Sequence, residues 1–71
     1  MSLNIQVGNR ITQLRQERGL TLEKLAYGSG ISKGGLSEIE RGLKEPRLST
    51  LVKLCETLDI SLKDFFNFDL K

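Results

Sequence analysis

Histidine is absent from this sequence, and cysteine and proline occur once each. Without histidine there is no Ser-His or Cys-His nucleophile pair, no imidazole metal ligand, and no side chain whose ordinary pKa lies near neutrality. An enzyme is therefore not expected, nor is a cofactor, a metal or a small-molecule ligand. Cys55 stands alone, which excludes an internal disulfide and a cysteine-based metal cluster. In the run Leu51-Val52-Lys53-Leu54-Cys55 it reads as a small buried apolar residue. No apolar run approaches the roughly 20 residues needed to span a bilayer, and the N-terminus lacks the basic flank and apolar stretch of a signal peptide. The expectation is a soluble cytoplasmic protein with no membrane partner. Pro46 is the one proline and no low-complexity stretch marks a linker, so one domain over residues 1–71 is expected, with its core in about 7–67. Met1, Ser2 and Leu3 could be native or left over from cloning, and they carry no weight in the fold argument.

What is present is an uneven charge distribution. The net charge of +2 would not by itself suggest nucleic acid. Residues 1–54, however, hold nine Lys/Arg against five Asp/Glu, whereas residues 55–71 hold two against four. The basic part is the part that could face DNA.

A local pattern recurs three times: an apolar residue, Ser or Thr, three residues, then a large apolar one. It appears as Leu20-Thr21 with Leu25, Ile31-Ser32 with Leu36, and Ile60-Ser61 with Phe65. Each marks a helix start, since the hydroxyl accepts a hydrogen bond from a first-turn amide and the flanking apolar pair closes as a staple. Asp64 strengthens the last start by placing a carboxylate at the positive helix end, whereas Lys24 weakens the first. Val7, Ile11 and Leu14 trace one face of an earlier helix that Gly19 can end. Leu51, Leu54, Cys55 and Leu58 give the same spacing, with Ser49 as a candidate cap. No stretch alternates in the manner of a strand. The expectation is an all-α chain of five short helices, at about 7–18, 22–29, 33–41, 50–58 and 62–67.

The second and third of these are joined by Gly30-Ile31-Ser32, a connection short enough to force a sharp crossing, with Gly30 supplying the positive φ that such a turn needs. Leu36 and Ile39 face inward from the third helix, which leaves Lys33, Gly34, Ser37, Glu38 and Arg41 outward. A cap, a short apolar stripe and an exposed polar stripe are what a helix-turn-helix uses to read base edges. An ordinary helical hairpin with a solvated polar face offers the same geometry.

The order and spacing of the motifs separate the two. Residues 7–66 carry Ile11, Leu14-Arg15, Glu17-Arg18-Gly19-Leu20-Thr21, Leu25-Ala26, Gly30-Ile31-Ser32, Leu36-Ser37, Ile39-Glu40-Arg41-Gly42, Pro46, Leu51 and Leu58. Together these resemble the phage repressor and Cro-type (XRE-like) helix-turn-helix family across nearly the whole chain. The resemblance implies a compact five-helix lambda-repressor-like domain that binds double-stranded DNA. It places Lys33, Gly34, Ser37 and Glu38 at base-reading positions or beside them, Thr21 and Leu22 where members hold a phosphate, and Arg41, Lys44 and Arg47 near a second backbone contact. It also implies an ion pair between Arg15 and Glu40, for which a role in orienting the recognition helix is expected.

Two departures matter. Leu22 stands where most members have glutamine, which leaves only a backbone N–H for phosphate. Gly34 and Gly35 remove two side chains from the recognition helix, at roughly 1 kcal/mol each in helix stability; they either permit close approach to DNA or reduce the number of base contacts. Glu38 would be repelled by phosphate unless it accepts from a cytosine amino group or pairs with Lys33 or Arg41. As a surface charge screened by those neighbours it would need no DNA role.

One recognition helix reads few base pairs, so a homodimer on a partly palindromic operator is expected. Leu62, Phe65, Phe66, Phe68 and Leu70 put three of the four aromatic residues within four positions and form the candidate dimer surface, with Phe65 also expected to cap the core. The opposing reading is that the whole tail folds back onto the first and fourth helices. Tyr27 reads as surface packing. The length suits a restriction-modification controller or a small phage-type repressor. The alternative function is a protein-interaction module, an antitoxin or anti-regulator that uses the Phe-rich tail.

Overall fold

The computed structural model describes residues 2–70, and among these every regular element is an α-helix: α1 (Leu3–Glu17), α2 (Leu22–Ser29), α3 (Lys33–Glu40), α4 (Leu48–Leu58) and α5 (Leu62–Phe65). The three recurring cap motifs set three of the boundaries. Thr21, Ser32 and Ser61 each sit in extended conformation and accept from the amide three residues on, at 3.1, 3.0 and 3.0 Å. Leu20, Ile31 and Ile60, the staple residues, are half-buried against the core. Thr21 therefore caps α2 despite Lys24.

Two starts differ from the spacing-based expectation. Helix α1 begins at Leu3 rather than near residue 7, because the Ser2 hydroxyl accepts from the Ile5 amide at 3.2 Å and its carbonyl from Gln6 at 3.1 Å. Helix α4 begins at Leu48, and Ser49 does not cap it. The Leu51 amide already bonds the Arg47 carbonyl at 3.0 Å, which puts Ser49 inside the first turn and makes Arg47 an N-cap without a side-chain bond. Helices α3 and α5 end at Glu40 and Phe65, one and two residues before their expected ends.

The core is one cluster. Ile11, Leu25, Leu36, Leu54, Leu58 and Phe65 are its largest fully buried side chains, with Val7, Leu14, Ala26, Ile39, Leu51 and Cys55 around them. Cys55 is a buried free thiol whose pKa is raised by desolvation, so it behaves as the small apolar residue expected. Helix α1 lies across the end of α3 at a contact that leaves no room for a side chain: a Cβ on Gly8 would sit 2.5 Å from the carbonyl oxygens of Ile39 and Glu40. That crossing holds α3 from behind. No described helix is long and apolar enough to cross a membrane.

Candidate nucleic-acid interface

Helix α2 ends at Gly30, whose left-handed backbone (φ 69°, ψ 29°) turns the chain sharply. The Gly30 and Ile31 amides close back on the Tyr27 and Ala26 carbonyls at 3.2 and 3.0 Å, and Ser32 then opens α3. With Leu36 and Ile39 buried against α1 and α2, α3 turns its remaining face to solvent. Lys33, Gly34, Glu38 and, at its end, Arg41 are exposed, and Ser37 is half-buried. The structure thus brings the four expected base-reading positions onto one open face. Gly34 has nothing within 4 Å of where a Cβ would stand, whereas a Cβ on Gly35 would meet the capping Ser32 hydroxyl at 2.9 Å.

The charges on this face pair differently from the expected helix-surface pairing. Lys33 reaches back to α2, its Nζ 3.6 Å from Glu23 Oε1, rather than along α3 to Glu38. Arg41 donates from Nε to the Ser37 carbonyl at 3.4 Å. Glu38 therefore has no ion pair or side-chain hydrogen bond among the described residues. The packing of α3 against α2 puts Glu23 within reach of the long Lys33 side chain.

The expected phosphate residues flank this face. Thr21 is exposed and its hydroxyl oxygen is already accepting from Lys24, while Leu22 is half-buried with its side chain against the core. First-turn amides of a helix have no partner within it, so the Leu22 and Glu23 N–H groups remain available to an anion. On the other flank, Lys44 and Arg47 are exposed and line an open groove of about 350 Å³ with Ile31, Ser32, Gly35 and Thr50. Ile39, Glu45 and Pro46 complete that groove.

Behind the open face of α3, Arg15 and Glu40 meet as a two-pronged ion pair. Arg15 Nε lies 2.8 Å from Glu40 Oε2 and Nη2 lies 3.1 Å from Oε1, with the side chains only 16% and 9% exposed. Nη1 donates to the Leu20 carbonyl at 2.9 Å, and the Thr12 hydroxyl stands 2.8 Å from Glu40 Oε1. This network joins α1, the α1–α2 loop and the end of α3. Thr12 was not legible as a member, because nothing in its spacing distinguishes it from an exposed helical threonine.

The Phe-rich tail divides between the two readings. Phe65 is fully buried, which removes it from any partner surface: the Ile60-Ser61 staple aims it into the core. Phe66 packs edge-on against Phe65 with ring centroids 5.0 Å apart and stacks on Phe68 at 6.3 Å. Arg10 of α1 donates to the Phe65 and Asp64 carbonyls at 2.7 and 2.9 Å and covers the Phe68 ring at 5.4 Å. No sequence signal pointed to Arg10. Leu62 and Phe66 are half-buried, and Leu70 is 51% exposed. A second, apolar groove of about 100 Å³ is lined by Leu3, Val7, Pro46, Leu51 and Phe66, and Leu3, Leu48 and Val52 stand exposed. Tyr27 is 90% exposed, so it packs against almost nothing, contrary to expectation.

Comparison with known proteins fits this geometry. Residues 11–65 match the helix-turn-helix family model HTH_3. The uncharacterized HTH-type transcriptional regulator y4dJ of Sinorhizobium fredii is 39% identical over 86% of this chain and 79% of its own length. Several other relatives are longer, and this chain spans between 32% and 56% of their length. Among solved structures, the restriction-modification controller protein C.AhdI from Aeromonas hydrophila superposes with a TM-score of 0.86 at 33% identity, over 89% of this chain and 96% of that one. The biofilm master regulator SinR, solved in complex with DNA, superposes with a TM-score of 0.79 at 39% identity, over 86% of this chain and 98% of that one. The chain belongs to the helix-turn-helix family of DNA-binding transcriptional regulators, which are binding proteins and not enzymes.

Proposed function

We propose that the protein is a homodimeric regulator that binds a partly palindromic double-stranded operator in the cytoplasm, as a single domain. The observation that carries this reading is the open face of α3. Lys33 and Glu38 stand exposed on a capped helix whose Leu36 and Ile39 anchor it in the core, a face suited to a major groove. Lys33 is suited to the acceptor edge of guanine, Glu38 to a cytosine amino group and Ser37 to either, while Gly34 lets the backbone come close. The lack of an ion pair or hydrogen bond to the Glu38 side chain among the described residues supports a base-reading role over a screened surface charge. The Thr21 hydroxyl, the Leu22 amide, Arg41, Lys44 and Arg47 would hold phosphates on the two flanks and set the register. The ion pair of Arg15 with Glu40 orients α3 without touching DNA.

The dimer surface is assigned to Leu62, Phe66, Phe68 and Leu70 with the adjoining apolar groove. Pro46 and Glu45 line that groove and also the DNA-side groove. A surface bordering the DNA-facing side is what a two-fold dimer needs if both recognition helices are to meet one face of a duplex, about 34 Å apart. Selection of bound sequences from a random duplex pool tests the reading. A dyad-symmetric site should be enriched; enrichment of an asymmetric site removes the dimer, and enrichment of nothing removes the function.

A further inference from the structure

Glu23 belongs to none of the expected contacts, yet among the described residues it is the one carboxylate paired with a base-reading side chain. It stands at the second position of α2, beside the Thr21 and Leu22 phosphate site, and its Oε1 is 3.6 Å from Lys33 Nζ. Its charge sits where an incoming phosphate is repelled. Lys33 is equally out of place electrostatically, since it occupies the first position of α3 at the positive helix end, where a cation is disfavoured and no acidic residue of that first turn offsets it. Both side chains remain largely open to solvent, at 61% and 68% exposure, so the pair can exchange partners without unpacking the fold.

We propose that Glu23 is a specificity-determining positioning residue that holds Lys33 in reserve for a guanine edge and withholds it from phosphate; this rests on the DNA-binding reading above. On the correct site, Lys33 meets the two acceptors of guanine with its ammonium still beside Glu23, so the pair is kept and costs operator binding little. On an incorrect site, no base acceptor compensates for loss of the pair. Lys33 then stays with Glu23, whose neutralised partner leaves one fewer free cation for the backbone. Discrimination arises from a cost imposed on the wrong partner rather than from an added contact to the right one. An exposed pair of this kind contributes little to folding, so its effect is confined to binding.

The test compares the protein with Glu23→Gln, Lys33→Gln and the double variant on the selected operator and on a random duplex, at about 0.1 M salt. Glu23→Gln should tighten binding to the random duplex about three- to fivefold and change operator binding less than about twofold, with an unchanged Tm. In the Lys33→Gln background the same substitution should leave the operator-to-random ratio unaltered. An unchanged ratio in the native background overturns the proposal, as does an equal fall in both backgrounds, which is a bulk charge effect. A fall in Tm without a change in ratio overturns it as well, by reducing Glu23 to a helix tether. If no duplex is bound selectively, the DNA-binding reading itself fails, an outcome distinct from selective binding without coupling.

Discussion

Gly8 and Gly34 look alike in the sequence and have opposite meanings in the molecule. A methyl group on Gly8 would collide with two carbonyl oxygens of α3, backbone atoms that cannot move aside, whereas one on Gly34 would enter open space. Gly8→Ala should therefore cost about 1–3 kcal/mol through overpacking. Gly34→Ala should raise stability by up to about 1 kcal/mol through helix propensity. Thermal unfolding of the two variants checks both signs. DNA binding then decides what Gly34 is for: weaker binding by a more stable Gly34→Ala protein marks close approach to the duplex, and unchanged binding marks a mere lack of contact. Glu40 is a second residue-scale case. Removing its carboxylate leaves Arg15 and Thr12 facing each other at the back of α3, so Glu40→Ala should cost about 3 kcal/mol. Circular dichroism should show a Tm lower by more than about 10 °C. Abolished binding at unchanged Tm would instead make Glu40 a direct contact.

Helices are set here by a mixture of local and distant groups. The caps at Thr21, Ser32 and Ser61 are local, and the starts of α2, α3 and α5 follow the residues that carry them. Helix α4 lacks such a cap and starts where Leu51 must reach the core, so Ser49 lies within its first turn instead of capping it. Helix α5 is too short at four residues to stand alone, so its end needs support from elsewhere. Arg10 supplies it from α1 by donating to two terminal carbonyls and covering the Phe68 ring. Arg10→Ala should loosen α5 and the residues after it while leaving α3 intact. Amide exchange should then speed up over 65–70, with the amides of α2 and α3 unaffected; uniform acceleration would show that Arg10 supports the whole fold.

At the scale of the whole molecule, affinity should come from two half-sites and from phosphates more than from base edges. With about three phosphate contacts per protomer, log K should fall with log salt at a slope of about −5 for the dimer. A nearly flat dependence would favour a protein partner. Sedimentation of Phe66→Glu and Phe68→Glu should give monomers; dimers in both variants would move the interface away from the tail. The sequence by itself determined the all-helical class, the sharp turn at Gly30 and the residues on the open face of α3. Those follow from caps, spacing and φ preferences, which act within a few residues. Only the tertiary structure decided that Lys33 pairs with Glu23 and not Glu38, that Thr12 joins Glu40, that Arg10 holds the tail and that Phe65 is lost to the core. Each of these depends on the distance between helices, and helix packing brings together residues whose separation along the chain carries no local signal.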